Sequence, residues 1–132
     1  MIDARALQAA LLMGSFAIVT SCSSSGEKTP VAAPMNLKGQ VEYSRTDLAQ
    51  RLDVPLDNVV LSGARQVTWR SGALGCPEPG MNYTDALVPG AVIYLRVDNM
   101  IHAYHGKFGE EPFYCPRERA EQPALNDGLD LT

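Results

Sequence analysis

Apolar positions along the chain fall into four patterns. Residues 9–19 form an almost continuous apolar run, broken by Gly14 and Ser15. Further on, Leu48, Ala49 and Leu52 recur at helical spacing. Ser44 and Thr46 before them offer hydroxyl caps, and Asp47 suits a first turn. Val54-Pro55 ends the pattern, because the residue before a proline is pushed out of helical space; the prediction is one helix of about ten residues. Over 58–69, Val59, Leu61, Val67 and Trp69 share a parity, with Gly63 a candidate bulge, which reads as a strand. Over 91–97, Ala91, Ile93, Leu95 and Val97 alternate with Val92, Tyr94 and Arg96, the clearest strand in the chain.

Asp98-Asn99 then turns the chain into a further strand over 100–105. Two registers are open. A two-residue turn pairs Val97 with Met100 and puts Met100, His102 and Tyr104 on the buried face with Leu95. A three-residue turn pairs Val97 with Ile101 and sends His102 and Tyr104 outward beside Tyr94 and Arg96. The apolar character of Ile101 and Ala103 mildly favours the second.

Helix, strand, long irregular stretch, strand, turn, strand describes an α+β domain: one short helix on a small antiparallel sheet of three to four strands, with a long loop. The order loosely resembles PepSY-type and β-lactamase-inhibitor-like modules, which are extracytoplasmic and non-catalytic. The domain is placed at 41–117. Beyond it, Glu118, Glu121, Asp127 and Asp130 sit among few apolar residues, which predicts a loose acidic tail over 118–132. With 132 residues a single domain is expected. The net charge of −4 argues against a nucleic-acid partner, which needs a basic face.

The N-terminus reads as an address. Arg5 precedes the apolar run, and small residues lead to a cysteine at Val19-Thr20-Ser21-Cys22. This resembles the bacterial lipoprotein signal, whose lipobox ends in a small residue and a cysteine. The resemblance implies removal of a signal peptide over 1–21, a diacylglycerol on Cys22 and, with Ser23 following, sorting to the outer membrane facing the periplasm in a Gram-negative cell. One acyl chain holds a protein weakly and two or more hold it firmly, at about 0.8 kcal/mol per buried methylene. Residues 22–40, rich in Ser, Gly and Pro at the start, read as a flexible tether.

With Cys22 set aside, Cys76 and Cys115 are an even pair in an oxidising compartment, and a disulfide is the default. Closing that loop stabilises a chain by about 4 kcal/mol on the entropic account. A zinc site or a nucleophilic cysteine are the competing readings; neither a CxxC nor an HxxxH pair accompanies these residues.

The most distinctive stretch runs from Trp69 through Leu74-Gly75-Cys76-Pro77-Glu78-Pro79-Gly80 to Tyr83. This W…LGCPxPGxxY pattern resembles a widespread family of small secreted or lipid-anchored bacterial proteins, from about Asp47 to His105, and implies no activity. Its glycines and prolines mean special backbone angles with little freedom left. As a rigid recognition loop it would present Leu74, Pro77, Pro79, Met81 and Tyr83. Equally, it would cover an open end of the sheet, with Trp69, Leu74 and Tyr83 as core.

For chemistry the sequence offers little. His102 and His105 are the two histidines, and an odd separation on one strand puts them on opposite faces, which is unsuited to joint metal ligation. No carboxylate pair, nucleophile–base order or phosphate loop stands out. The expectation is a non-catalytic, lipid-anchored envelope protein without cofactor or metal. It would bind an envelope protein or small ligand through the loop and through a hairpin face of Tyr94, Arg96, His102 and Tyr104. A structural or assembly accessory is the alternative, and a small thiol or hydrolytic enzyme a more distant one.

Overall fold

The computed structural model describes residues 33–131, with side chains through residue 125. The expected signal peptide over 1–21, Cys22 and most of the expected tether lie outside the described residues.

Helix α1 spans Leu37–Leu52, and its cap is Asn36, whose side chain accepts the Gly39 N–H at 2.8 Å. It therefore begins inside the expected tether, well before the expected cap at Ser44–Thr46. The hydroxyls there do something else: Ser44 donates to the Gln40 carbonyl at 2.8 Å and Thr46 to the Glu42 carbonyl at 3.0 Å. Such back-bonding lets both residues sit inside a helix without uncapping its backbone. The helix ends where expected. Asp53 takes a left-handed conformation, φ 53°, and its N–H returns to the Ala49 and Gln50 carbonyls before Val54-Pro55.

Five strands follow: β1 Val60–Trp69, β2 Val88–Val97, β3 Met100–Lys107, β4 Phe113–Cys115 and β5 Leu125–Leu131. They form one sheet in the order β4-β3-β2-β1-β5, and every pairing is antiparallel. The fold is α+β, as the pattern predicts, with one strand more than expected. That strand comes from the predicted loose tail: β5 pairs with β1 from Thr68↔Leu125 to Ala64↔Leu131. Without it the edge of β1 would offer a row of unpaired backbone groups. β2 likewise starts three residues earlier than the alternation alone suggests.

The bulge near Gly63 is present, since the register shifts between Leu61 and Gly63. Its consequence differs from the sequence reading. An inserted residue flips every side chain beyond it. Leu61 therefore lies on the helix side of the sheet, whereas Val67 and Trp69, of the same sequence parity, lie on the other side. Two cores result. On the helix side, Leu37, Val41, Leu48 and Ala49 pack on Val59, Ala64, Ala91, Ile93, Leu95, Val97 and Tyr104. On the distal side, Val67, Trp69 and Val92 pack with Leu74, Val88 and Tyr94.

The hairpin takes the two-residue turn, with Val97 opposite Met100, Leu95 opposite His102 and Ile93 opposite Tyr104. The mildly favoured three-residue register is thus corrected. Asp98 holds φ 52°, a left-handed angle that Asp tolerates and that a tight hairpin requires. Burying the Tyr104 ring outweighs burying Ile101 and Ala103, because its hydroxyl is not stranded: it donates to Asp47 of α1 at 2.6 Å.

Candidate functional site

The distal face is organised around Trp69, which is fully buried. Its Nε1 donates to the Gly106 carbonyl at 3.0 Å, and its ring stacks on His105 with centroids 4.5 Å apart. Two glycines make room for the indole. A Cβ on Gly75 would come within 2.2 Å of the Trp69 ring, and one on Gly90 within 2.4 Å of its nitrogen. The W…LGC pattern is thus a packing device: Leu74 turns left-handed at φ 53°, Gly75 crosses the indole, and Cys76 pins the loop.

Cys76 and Cys115 are bonded, with Cα atoms 5.9 Å apart. The bridge ties residues 70–87 to β4 across the distal face. His105, 2% exposed, closes the arrangement by donating Nδ1–H to the Leu74 carbonyl at 2.9 Å; a carbonyl only accepts, so the proton sits on Nδ1. Burial lowers the imidazole pKa, partly opposed by the bonds to Leu74 and Gly75.

The expected loop contacts divide accordingly. Leu74 and Pro77 are half-buried in this packing. Tyr83 is also half-buried, and its hydroxyl accepts the Glu78 N–H at 2.9 Å. Pro79 is exposed, and so is Met81. Leu74, Pro77 and Tyr83 hold the loop itself, and of the expected contacts Pro79 and Met81 project to solvent.

The hairpin residues divide too. Tyr94 and Arg96 lie on the distal face, Tyr94 half-buried and Arg96 exposed. His102 and Tyr104 do not stand beside them, contrary to the favoured register. They face the helix side, buried, because the two-residue turn sets their parity with Leu95 and Ile93. Burial, then the bond to Asp47, raises the Tyr104 pKa far above the usual phenol range. Ile101 and Ala103 take the places opposite Arg96 and Tyr94.

At this end of the sheet lies a groove of about 810 Å³. Its origin is local. β4 pairs with β3 only from His105↔Phe113 to Ala103↔Cys115. The next residue is Pro116, which has no N–H to donate and ends the strand. β3 from Met100 to His102 is left without a neighbour on that side. The chain then crosses as a strap toward β5, fixed by Glu121 N–H to the Gly75 carbonyl at 2.8 Å, Ala124 N–H to the Thr68 carbonyl at 2.8 Å, and the Arg119–Glu78 ion pair at 3.2 Å. The groove wraps the bare edge of β3: Tyr94, Ile101, Ala103 and Cys115 line it on the distal side with Arg117, Glu118 and Glu121 of the strap, and His102 and Tyr114 line it on the helix side.

His102 is the polar feature of the groove. It is 8% exposed, lies 6.0 Å from the Tyr114 ring, and makes no hydrogen bond among the described residues. Burial lowers its pKa, so it is neutral at pH 7 and offers one donor and one acceptor. No group of three or more potential metal ligands occurs among the described residues.

The sequence pattern pointed to the hairpin but missed Ile101 and Ala103, which it assigned to the core, and the strap acids, which it assigned to a loose tail. The available signal was Cys115-Pro116, a strand ending next to its own disulfide. Comparison with curated proteins and with solved structures gave no match. A family model matches residues 41–115, more than half the chain and the whole of the helix–sheet–disulfide unit apart from the first helical turn and β5. The chain belongs to the family described as a domain of unknown function, DUF8738.

Proposed function

We propose that this protein is a lipid-anchored component of the bacterial cell envelope that acts by binding, with the groove beside β3 as its contact surface. The groove carries this reading: an open cavity of about 810 Å³ whose wall is fixed by a disulfide and whose His102 imidazole makes no hydrogen bond among the described residues. Clefts of about 300–1,000 Å³ with a few convergent polar groups are the usual form of a binding site. The anchor rests on Val19-Thr20-Ser21-Cys22 and the Ser-rich stretch after it.

Intact mass of the protein extracted from membranes tests the anchor. The expected species begins at Cys22, carries diacylglycerol and lacks two hydrogens for the Cys76–Cys115 bond. An unmodified chain beginning at Met1 overturns it. Photo-crosslinking tests the groove: a benzophenone at Ile101 is expected to give a discrete adduct in intact cells that a benzophenone at Asp57 does not.

A second reading, a structural or assembly accessory, is supported by the loop. Leu74, Gly75, Cys76 and Tyr83 are all engaged within the domain. With no discrete ligand, it predicts no discrete adduct from either Ile101 or Met81. The thiol-enzyme reading requires a free thiolate, and in the bonded state neither sulfur is one.

A further inference from the structure

The groove has an edge, a polar group and a charge, and together they specify an occupant. The edge is β3 from Met100 to His102, left bare because Pro116 cannot extend β4. An extended chain is the ligand form that continues a sheet where a strand stops. The polar group is His102, nine-tenths buried and without a hydrogen-bond partner among the described residues. Neither ring nitrogen is a buried atom left without a partner, so the imidazole is open to bonding from the groove, and a ligand there takes the place of water. A peptide backbone supplies both an N–H and a carbonyl, matching the acceptor and donor of a neutral ring.

The charge comes from the strap. Glu118 and Glu121 line the groove and are exposed, and neither joins an ion pair among the described residues. Arg117 is the cation that lines it with them, because Arg119 is engaged with Glu78. Two carboxylates against one guanidinium, on a chain of net charge −4, attract a basic ligand and repel an acidic one. Ile101 and Ala103 give the floor an apolar character that suits alternate side chains of an extended segment.

We infer that the groove takes an extended, lysine- or arginine-bearing segment of a partner protein, which lies along the bare end of β3, bonds His102 through its backbone and sets its basic side chains against Glu118 and Glu121. This rests on the groove being the contact surface.

Three fluorescein-labelled pentapeptides serve as probes, Lys-Val-Lys-Val-Lys and its counterparts with Glu or Gln in place of Lys. Binding to the full chain in non-ionic detergent is followed by anisotropy. The basic peptide is expected to bind at least tenfold more tightly than the acidic one. The Glu118→Gln/Glu121→Gln pair is expected to lower that affinity at least tenfold, and Asp57→Asn, an exposed acid elsewhere, to leave it unchanged. His102→Ala alters no charge at pH 7.5, so a fivefold loss there separates groove binding from general attraction. His102→Gln, which keeps a donor and an acceptor, is expected to restore most of it. Unchanged Trp69 emission reports that each variant is folded.

Preferential, His102-dependent binding of the acidic or neutral peptide overturns the basic assignment and leaves the groove as the contact surface. Binding of the basic peptide that is indifferent to His102 and to the glutamates overturns the inference. So does absence of binding by all three; the groove reading is then decided separately by the Ile101 crosslink.

Discussion

Gly75 and Gly80 hold nearly the same left-handed angle, φ 70° and φ 79°, but their surroundings differ completely. A Cβ on Gly75 would meet the Trp69 ring at 2.2 Å, whereas a Cβ on Gly80 would meet nothing within 4 Å. Gly80→Ala is therefore expected to cost only the backbone term, about 1–2 kcal/mol. Gly75→Ala adds an overpacking term of about 1–3 kcal/mol, because the indole is held from several sides and cannot retreat. Urea unfolding of both variants checks this; equal losses would show that the indole yields. The two histidines set the acid response. Burial lowers both pKa values in the folded state, while an unfolded chain takes up protons near pH 6.5. The unfolded state thus binds more protons in the window below 6.5, and stability, complete above it, falls as pH drops toward the depressed folded values. Unfolding midpoints between pH 7.5 and 5 are expected to fall, and His105→Gln to flatten that slope whatever its effect at pH 7.5. An unchanged slope in His105→Gln would remove this histidine from the acid response.

At the level of elements, α1 depends on a cap that lies outside its apolar periodicity. Asn36 satisfies the Gly39 N–H, and Asn36→Ala is expected to lower stability by about 1 kcal/mol, read as a shift in urea midpoint. Ser44→Ala, by contrast, removes a hydroxyl that caps nothing, and a larger loss there than at Asn36 would reverse the assignment of the helix start. The same element shows what could be read in advance. Alternation in β2 and the stop at Val54-Pro55 were legible because one residue type decides each locally. The start of α1 was not, since Leu37, Gln40 and Val41 acquire meaning only against the sheet they pack on. Nor was the face of Trp69: the bulge at Gly63 could be named, but its parity flip is a property of pairing with β2. The hairpin register turned on Tyr104 finding Asp47 across a sequence separation of 57, which no local pattern encodes. The candidate site inherits both limits, for it is made by β4 stopping early and by a strap that pairs with distant residues.

At the scale of the whole domain, a single covalent link joins features that would otherwise stand on separate parts of the chain. The Cys76–Cys115 bond closes 39 positions, fixing the loop over Trp69 at one end and the start of the strap at the other. Constraining a loop of that length stabilises a protein by about 2–4 kcal/mol, against a total of about 5–15 kcal/mol for a typical domain. Reduction therefore leaves a domain that still folds but holds its distal face less firmly. The helix-side core has no cysteine and stays packed, because Leu48, Ile93, Leu95 and Tyr104 are buried independently of the loop. The distal core is smaller and relies on Leu74 and Gly75 being held across the indole, so reduction acts there first. Under dithiothreitol the urea midpoint is expected to fall, Trp69 emission to shift to the red before the far-ultraviolet signal changes, and the Cys76→Ser/Cys115→Ser pair to reproduce both effects without reductant. Since Cys115 also lines the groove and Pro116 begins the strap, the reduced protein is further expected to lose affinity for the basic probe peptide. Coincident loss of tryptophan burial and secondary structure on reduction would mean that the two faces unfold as one, and that the bridge supports the entire sheet and not the distal face alone.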